Sequence, residues 1–170
     1  VLVDCEPRSL CLDVPKLRYT LEALRDGKPV AGLTPPYGKL RAIIPMHYGG
    51  QMVDVDGVAA LGKEFGVPVI DDAAHTLPAF FRSGPDAPWR QAGQTAAISC
   101  FSFYANKCIT TGGEGGMAVT DDDKWADRMR VMSLHGISRD AWKRFTADGS
   151  WYYEIDAPGF KYNLTDLAAS

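Results

Sequence analysis

Two residues of this 170-residue chain have neighbours that suit them to covalent and acid–base chemistry. Lys107 lies in the stretch 101–116, FSFYANKCITTGGEGG, after an apolar run (95–100) that reads as a buried strand and before a second short one (116–120). No Lys, Arg, Asp or Glu stands between Arg90 and Lys107, whereas surface lysines usually sit among other charges. Desolvation between two strands favours the uncharged amine, which is the form that attacks a carbonyl carbon. A hairpin lysine that snorkels its ammonium to water fits the same stretch, and the stretch alone leaves both readings open. The second residue is Asp72, which with Asp71 closes the apolar run VPVI (67–70).

These residues need elements to position them. The apolar residues 1–4 read as a short strand. Asp13 is placed to cap a helix from Val14 to about Arg25, with Leu17, Leu21 and Leu24 as its buried stripe. Gly27 and Pro29 stop that helix, and a loop rich in Pro and Gly follows. RAIIP (41–45) reads as a strand that ends in the turn MHYGGQ (46–51). Asp54 caps a second helix whose Val58, Leu61 and Phe65 share a face. Gly66 sits where a C-cap glycine belongs, and Pro68 blocks continuation. After the strand 67–70 and the strands flanking Lys107, the acidic residues 121–123 start a third helix, with Trp125, Met129 and Met132 as its buried face and His135-Gly136 as its end. Gly112–Gly116 reads as a turn between strands, and residues 137–160 receive no assignment. No repeat, low-complexity segment or interdomain linker is visible.

Alternating helices and solidly apolar strands predict an α/β fold, a three-layer sandwich around a mainly parallel sheet covered on both faces. Ligands of such sheets bind outside the carboxyl ends of the strands. The turn at His47, the Asp71-Asp72 pair and the segment leading to Lys107 all fall near strand ends, so they are expected on one side of the sheet.

The bulk properties narrow the classes. A hydrophobic share of 46% and a charged share of 23% are ordinary for a globular protein. Eighteen basic and 21 acidic residues give a net charge of −3, with no basic patch for nucleic acid or a membrane surface. No apolar run is long enough to span a bilayer. Four cysteines without CxxC spacing and three histidines argue against a zinc site and for reduced thiols in the cytoplasm. The chain begins without Met in an apolar segment and stops in an incipient helix, which reads as an internal piece of a longer protein.

A lysine after one strand and an acid at the end of another are the parts that a pyridoxal phosphate enzyme requires. The amine condenses with the cofactor aldehyde, and the carboxylate keeps the pyridine nitrogen protonated so that the ring can draw electrons from a substrate carbanion. The motifs are more specific than the parts. VIDDAAH (69–75), CFSFYANK (100–107), TTGGEGGMAVTDD (110–122), LHG (134–136) and FKYNLTDLAA (160–169) occur in this order, preceded by IIPMHYGGQMVDVDGV (43–58). Together they resemble the DegT/StrS-type family of pyridoxal phosphate-dependent sugar aminotransferases, over essentially the whole chain.

That resemblance implies an aspartate-aminotransferase-type large domain (fold type I), of which residues 1–170 are the central part, without its N-terminal portion and the small C-terminal domain. It implies that Lys107 is the Schiff-base lysine and proton shuttle and that Asp72 partners the pyridine nitrogen. His75 matches a position near the ring and its phenolic oxygen, and Ser102 a hydroxyl that binds the cofactor phosphate. Asn163 resembles an asparagine that reaches the phosphate of the neighbouring subunit, which makes a homodimer with a shared active site the expected assembly. The expected reaction moves an amino group, with glutamate as donor, to a keto group of a nucleotide-linked sugar. Each residue also has a structural alternative. Asp72 could cap a helix starting at Ala73, Ser102 could bond only to backbone, and His75, like His47 and His135, could be structural. Trp151-Tyr152-Tyr153 is open between a sugar-facing surface, core packing and a subunit interface. A sugar dehydratase is the second enzymatic reading, although such family members carry histidine in place of the lysine. A non-catalytic member of the fold is the rival outside enzymes.

Overall fold

In the computed structural model, residues 1–138 and 153–170 are described. The chain forms two compact units, Val1–Val119 and Thr120–Ser170, although the sequence shows no linker between them.

In the first unit, helix α1 (Val14–Arg25) starts where Asp13 accepts the Lys16 N–H at 3.0 Å, with Pro15 in the first turn. Leu17 and Leu21 are buried as expected. Ala23 rather than Leu24 is the third buried residue, because the chain doubles back there and the Lys28 N–H bonds the Ala23 carbonyl at 2.8 Å. Helix α2 (Val55–Phe65) is capped by Asp54, which accepts the Gly57 N–H at 3.0 Å. It ends on Gly66 in the left-handed region, whose N–H bonds the carbonyls of Gly62 and Lys63. Phe65 is half-buried beneath the Arg25 guanidinium, 5.5 Å from the ring centroid.

Strand β1 (Ile70–Asp72) pairs in parallel with β4 (Ile98–Ser102), which pairs antiparallel with β5 (Gly116–Val119). A separate hairpin joins β2 (Phe80–Phe81) to β3 (Arg90–Gln91). Extended backbone at 43–47 runs parallel to β1 on its other edge. Ile70 N–H bonds Ile43, Asp72 N–H bonds Pro45 and His47 N–H bonds Asp72, at 2.9, 2.9 and 3.1 Å. Only isolated bridges form there, because Pro45 has no N–H to give to the ladder. The sheet is therefore mainly parallel, with one antiparallel edge pair.

The core lies between this sheet and the two helices. Ile43 and Val69 from the sheet pack with Leu17 and Leu21 of α1, with Val55, Val58 and Leu61 of α2, and with Cys11 and Val53. Full burial of a side chain such as Leu61 contributes roughly 1.5–3 kcal/mol. Contact is close: a Cβ on Gly62 would come within 2.8 Å of Val69 Cγ2. One expectation needs correction. Residues 1–4 form no strand: the Asp4 carbonyl accepts the Asp13 N–H at 3.2 Å, beside a single bridge between Cys5 and Leu12, and Leu2 is 99% exposed. In this unit α1 and α2 cover one face of the sheet, while Ile44, Met46 and Cys100 on the other face are exposed.

In the second unit, helix α3 (Asp123–Ser133) is capped by Asp122, which accepts the Trp125 N–H at 3.0 Å. Trp125, Met129 and Met132 are half-buried rather than buried. His135 and Gly136 both take positive φ beyond the helix end. His135 N–H bonds the Phe160 carbonyl and Tyr162 N–H the Ser133 carbonyl, and the Phe160 and Tyr162 rings stack at 4.9 Å. Thr165 caps the short helix α4 (Asp166–Ala169). Trp151 and Tyr152 of the aromatic cluster lie outside the described residues, and Tyr153 is exposed.

Candidate active site

The carboxyl ends of β1 and β4 bring two of the expected site residues to one edge of the sheet. The parallel register pairs Asp72 with Cys100, and Ser102 follows two residues further along β4. Side chains alternate along a strand, so Asp72, Cys100 and Ser102 share the face that the helices leave open. Across β5, Cys100 pairs with Ala118 and Ser102 with Gly116, so small residues continue this face.

The carboxylate of Asp72 is half-buried, and its Oδ1 accepts the Ala74 N–H at 3.1 Å. Residues 73–79 form turns, so no helix starts at Ala73 for Asp72 to cap. One oxygen thus fixes the side chain against its own backbone, and the carboxylate keeps Oδ2 for a further donor. The strand end is itself held on both edges, by His47 N–H on the Asp72 carbonyl and by Ala73 N–H on the Cys100 carbonyl at 2.9 Å. Cys100 registers the charge: partial burial, then the carboxylates of Asp72 and Asp71, push its thiol above the ordinary thiol range.

Ser102 Oγ accepts the Tyr104 N–H at 3.3 Å, and its hydroxyl hydrogen remains to donate. Lys107 follows in the loop between β4 and β5. Its N–H bonds the Tyr104 carbonyl at 2.9 Å in a turn, and its side chain is half-buried. The loop is closed by Phe103 N–H on the Gly115 carbonyl at 2.7 Å and Thr111 N–H on the Phe103 carbonyl at 3.2 Å. Close backbone approach explains Gly116, where a Cβ would stand 2.7 Å from the Phe101 carbonyl oxygen.

His75 is exposed, two turn residues beyond Asp72's neighbour Ala73. Its carbonyl oxygen lies against Gly50, where an added Cβ would come within 2.8 Å. Asn163 belongs to the second unit; it is exposed, and its Oδ1 accepts from Lys161 Nζ at 2.7 Å. An acid with one free oxygen, a hydroxyl donor, a primary amine on the adjoining loop and a floor of small residues are a donor set that fits pyridoxal phosphate.

The sequence reading missed what stands behind the edge. Asp71 points to the core, where its Oδ2 meets Thr95 Oγ1 at 2.9 Å, Ser99 Oγ at 3.3 Å and His47 Nε2 at 3.3 Å. All four residues are buried. The signal was present in the strand alternation: if Asp72 faces the open side, Asp71 must face the helices and requires donors there.

A family model spans residues 1–170. The chain belongs to the DegT/DnrJ/EryC1/StrS aminotransferase family. SpsC of Bacillus subtilis, a spore coat polysaccharide biosynthesis protein, is 39% identical over all 170 residues, which cover 38% of its own length. DesI, solved in the presence of its TDP-sugar product, matches 99% of the chain and 34% of its own at 27% identity, with a TM-score of 0.68. Spr1654 of Streptococcus pneumoniae, solved in its PLP form, matches 99% of the chain and 40% of its own at 26% identity, with a TM-score of 0.69. The α/β fold is therefore that of fold type I aminotransferases. The chain spans about two fifths of the length of the curated relatives it matches. Among the described residues no helix is long and apolar enough to cross a membrane.

Proposed function

We propose that the protein transfers an amino group from glutamate to a keto group of a nucleotide-linked sugar, with pyridoxal phosphate as its cofactor. The observation that carries this reading is the common placement of Asp72 and Ser102 on the open face at the carboxyl ends of β1 and β4, with Lys107 in the loop that leaves β4. Membership of the family supports the cofactor and the reaction class, and the PLP form of Spr1654 agrees with it. The TDP-sugar product seen with DesI and the polysaccharide role of SpsC support a nucleotide-linked sugar.

Bound at this edge, pyridoxal phosphate supplies an electron sink for the charge left when a proton leaves the carbon bearing the amino group. The residues of the chain do the rest. Asp72, anchored through Oδ1, offers Oδ2 to the hydrogen on the ring nitrogen and holds that nitrogen in its charged form. Ser102 donates its hydroxyl hydrogen to the phosphate. Lys107 would hold the cofactor through Nζ and would move a proton to and from the substrate carbon. His75 lines the ring near its phenolic oxygen. Asn163 serves the phosphate of a neighbouring subunit, so the site is shared across a homodimer. In this reading residues 1–170 form the central part of the large cofactor-binding domain of a cytoplasmic enzyme.

The test is borohydride reduction of the full-length protein with pyridoxal phosphate, followed by peptide mass mapping. The expected adduct is on Lys107; an adduct on another lysine, or none, overturns the reading. Glutamate should bleach the absorbance of the bound cofactor, and colour that glutamate never alters would point instead to a non-catalytic member of the family.

A further inference from the structure

The buried cluster around Asp71 has no part in the chemistry above, yet it is tied to Asp72 twice. His47 is the link. Its main-chain N–H donates to the Asp72 carbonyl at 3.1 Å, and its imidazole Nε2 stands 3.3 Å from Asp71 Oδ2. Nδ1 accepts the Val53 N–H at 3.2 Å, so the ring hydrogen is on Nε2 and is directed into the cluster. That contact falls short of an aligned hydrogen bond, and among the described residues Nε2 has no other partner. Thr95 and Ser99 complete the set of donors on Asp71 Oδ2. The ring of His47 is fully enclosed, so water cannot replace any of these contacts when one is removed.

Consecutive strand residues turn together. A rotation of the β1 terminus that lets Asp71 escape its donors must swing Asp72 on the opposite face, and the reverse holds as well. We propose that His47 and Asp71, with Thr95 and Ser99, are positioning residues that set the direction of the Asp72 carboxylate toward the cofactor ring nitrogen. The proposal rests on the reading that Asp72 partners that nitrogen. Asp71 gives the strand end a fixed rotation, and His47 fixes its height along the neighbouring backbone. Asp72 Oδ1 is already spent on Ala74, so the aim of Oδ2 depends on the backbone beneath it. Partners of this kind, one step removed from the ligand, commonly change affinity or activity by about 10–100-fold when lost from metal sites. A carboxylate aimed at a ring nitrogen is as sensitive to sub-ångström placement.

The experiment uses the full-length protein loaded with pyridoxal phosphate carrying nitrogen-15 in its ring, whose chemical shift reports whether that nitrogen holds a proton. The variants are His47→Leu, which removes the ring at similar volume, and Ser99→Ala, which removes one donor from Asp71 and almost no volume. Leu61→Ala is the control: it opens the same core but removes none of the hydrogen bonds to Asp71 or Asp72. The expected result is a resonance displaced toward the unprotonated position in His47→Leu and Ser99→Ala, with about a tenfold rise in the cofactor Kd, and an unmoved resonance in Leu61→Ala. If His47→Leu does not fold, Ser99→Ala decides. A protonated nitrogen that is unchanged in all variants overturns the positioning role alone, as does an equal displacement in the control. A wild-type protein that takes up no cofactor overturns the underlying reading of the site.

Discussion

Gly50 should be far less replaceable than Gly66, although both adopt left-handed backbone. Gly66 ends α2 at φ +64°, and nothing lies within 4 Å of where its Cβ would be. Gly66→Ala should therefore cost only the conformational term, roughly 1–2 kcal/mol. Gly50 ends the turn Tyr48–Gly50 at φ +85°, and its Cβ would stand 2.8 Å from the carbonyl oxygen of His75. That oxygen belongs to the backbone, so relief requires moving the chain rather than rotating a side chain. Overpacking of this kind adds about 1–3 kcal/mol to the conformational term. The expected loss for Gly50→Ala is thus about 2–5 kcal/mol. Denaturant unfolding of the two cofactor-free variants, compared at equal m, measures the difference. Because the displaced carbonyl is that of a proposed site residue, Gly50→Ala should also weaken cofactor binding while Gly66→Ala leaves it unchanged. Equal stability losses at the two positions would show that the turn at 48–50 does not brace the segment after Asp72, and the steric reasoning would fail.

Three shorter tests follow. Asp54→Ala removes the cap of α2 and should cost about 1 kcal/mol in the same unfolding assay, with no effect on where borohydride places the cofactor. Glu6 is held down to about 2, first by the Ser9 N–H and then by Arg8. A depressed carboxyl stabilises the fold above its unfolded value and loses that contribution as pH falls through its folded value. The stability gap between wild type and Glu6→Gln should therefore be full above about pH 4.5 and close as the pH falls to about 2; a gap that widens on acidification would contradict the assignment. Removing a negative neighbour from a thiol raises its thiolate fraction, so Asp72→Asn should speed alkylation of Cys100 near pH 8, read by peptide mapping against exposed Cys108. Unchanged labelling would place the Asp72 charge away from Cys100.

Most of the fold's scaffold was legible because its signals are local. Asp13, Asp54 and Asp122 each cap the helix that the periodicity predicts, and Gly66 closes α2 as its position before Pro68 demands. Strand limits were less legible, since pairing is not a local property. The apolar segment 1–4 has strand composition but meets its neighbour only at the Asp4 carbonyl, and 43–47 pairs with β1 yet forms bridges rather than a strand because Pro45 interrupts the ladder. The strand expected at 95–100 is found three residues later, at Ile98–Ser102, where the hydrogen bonds of β1 and β5 meet it. Thr95 at its predicted start instead gives its hydroxyl to Asp71.

The site was half legible for a physical reason that resides in two adjacent letters. Asp71 and Asp72 are chemically identical in the sequence, and only the alternation of strand faces separates their roles. Asp72 emerges on the open face among Cys100, Ser102 and Ala118, where a ligand can reach it. Asp71 enters a core otherwise built of Ile43, Val69 and the helix residues, where a carboxylate persists only if donors surround it. Thr95 and Ser99 are those donors, with the His47 imidazole 3.3 Å away, and they come from two separate stretches of chain, so no motif could display them. A carboxylate buried at the end of a strand is an expensive way to hold a fold that an apolar residue could hold as well. Its cost is intelligible if the cluster fixes direction rather than stability: an apolar side chain in place of Asp71 could fill the volume, but it would leave the β1 terminus free to turn and Asp72 with it.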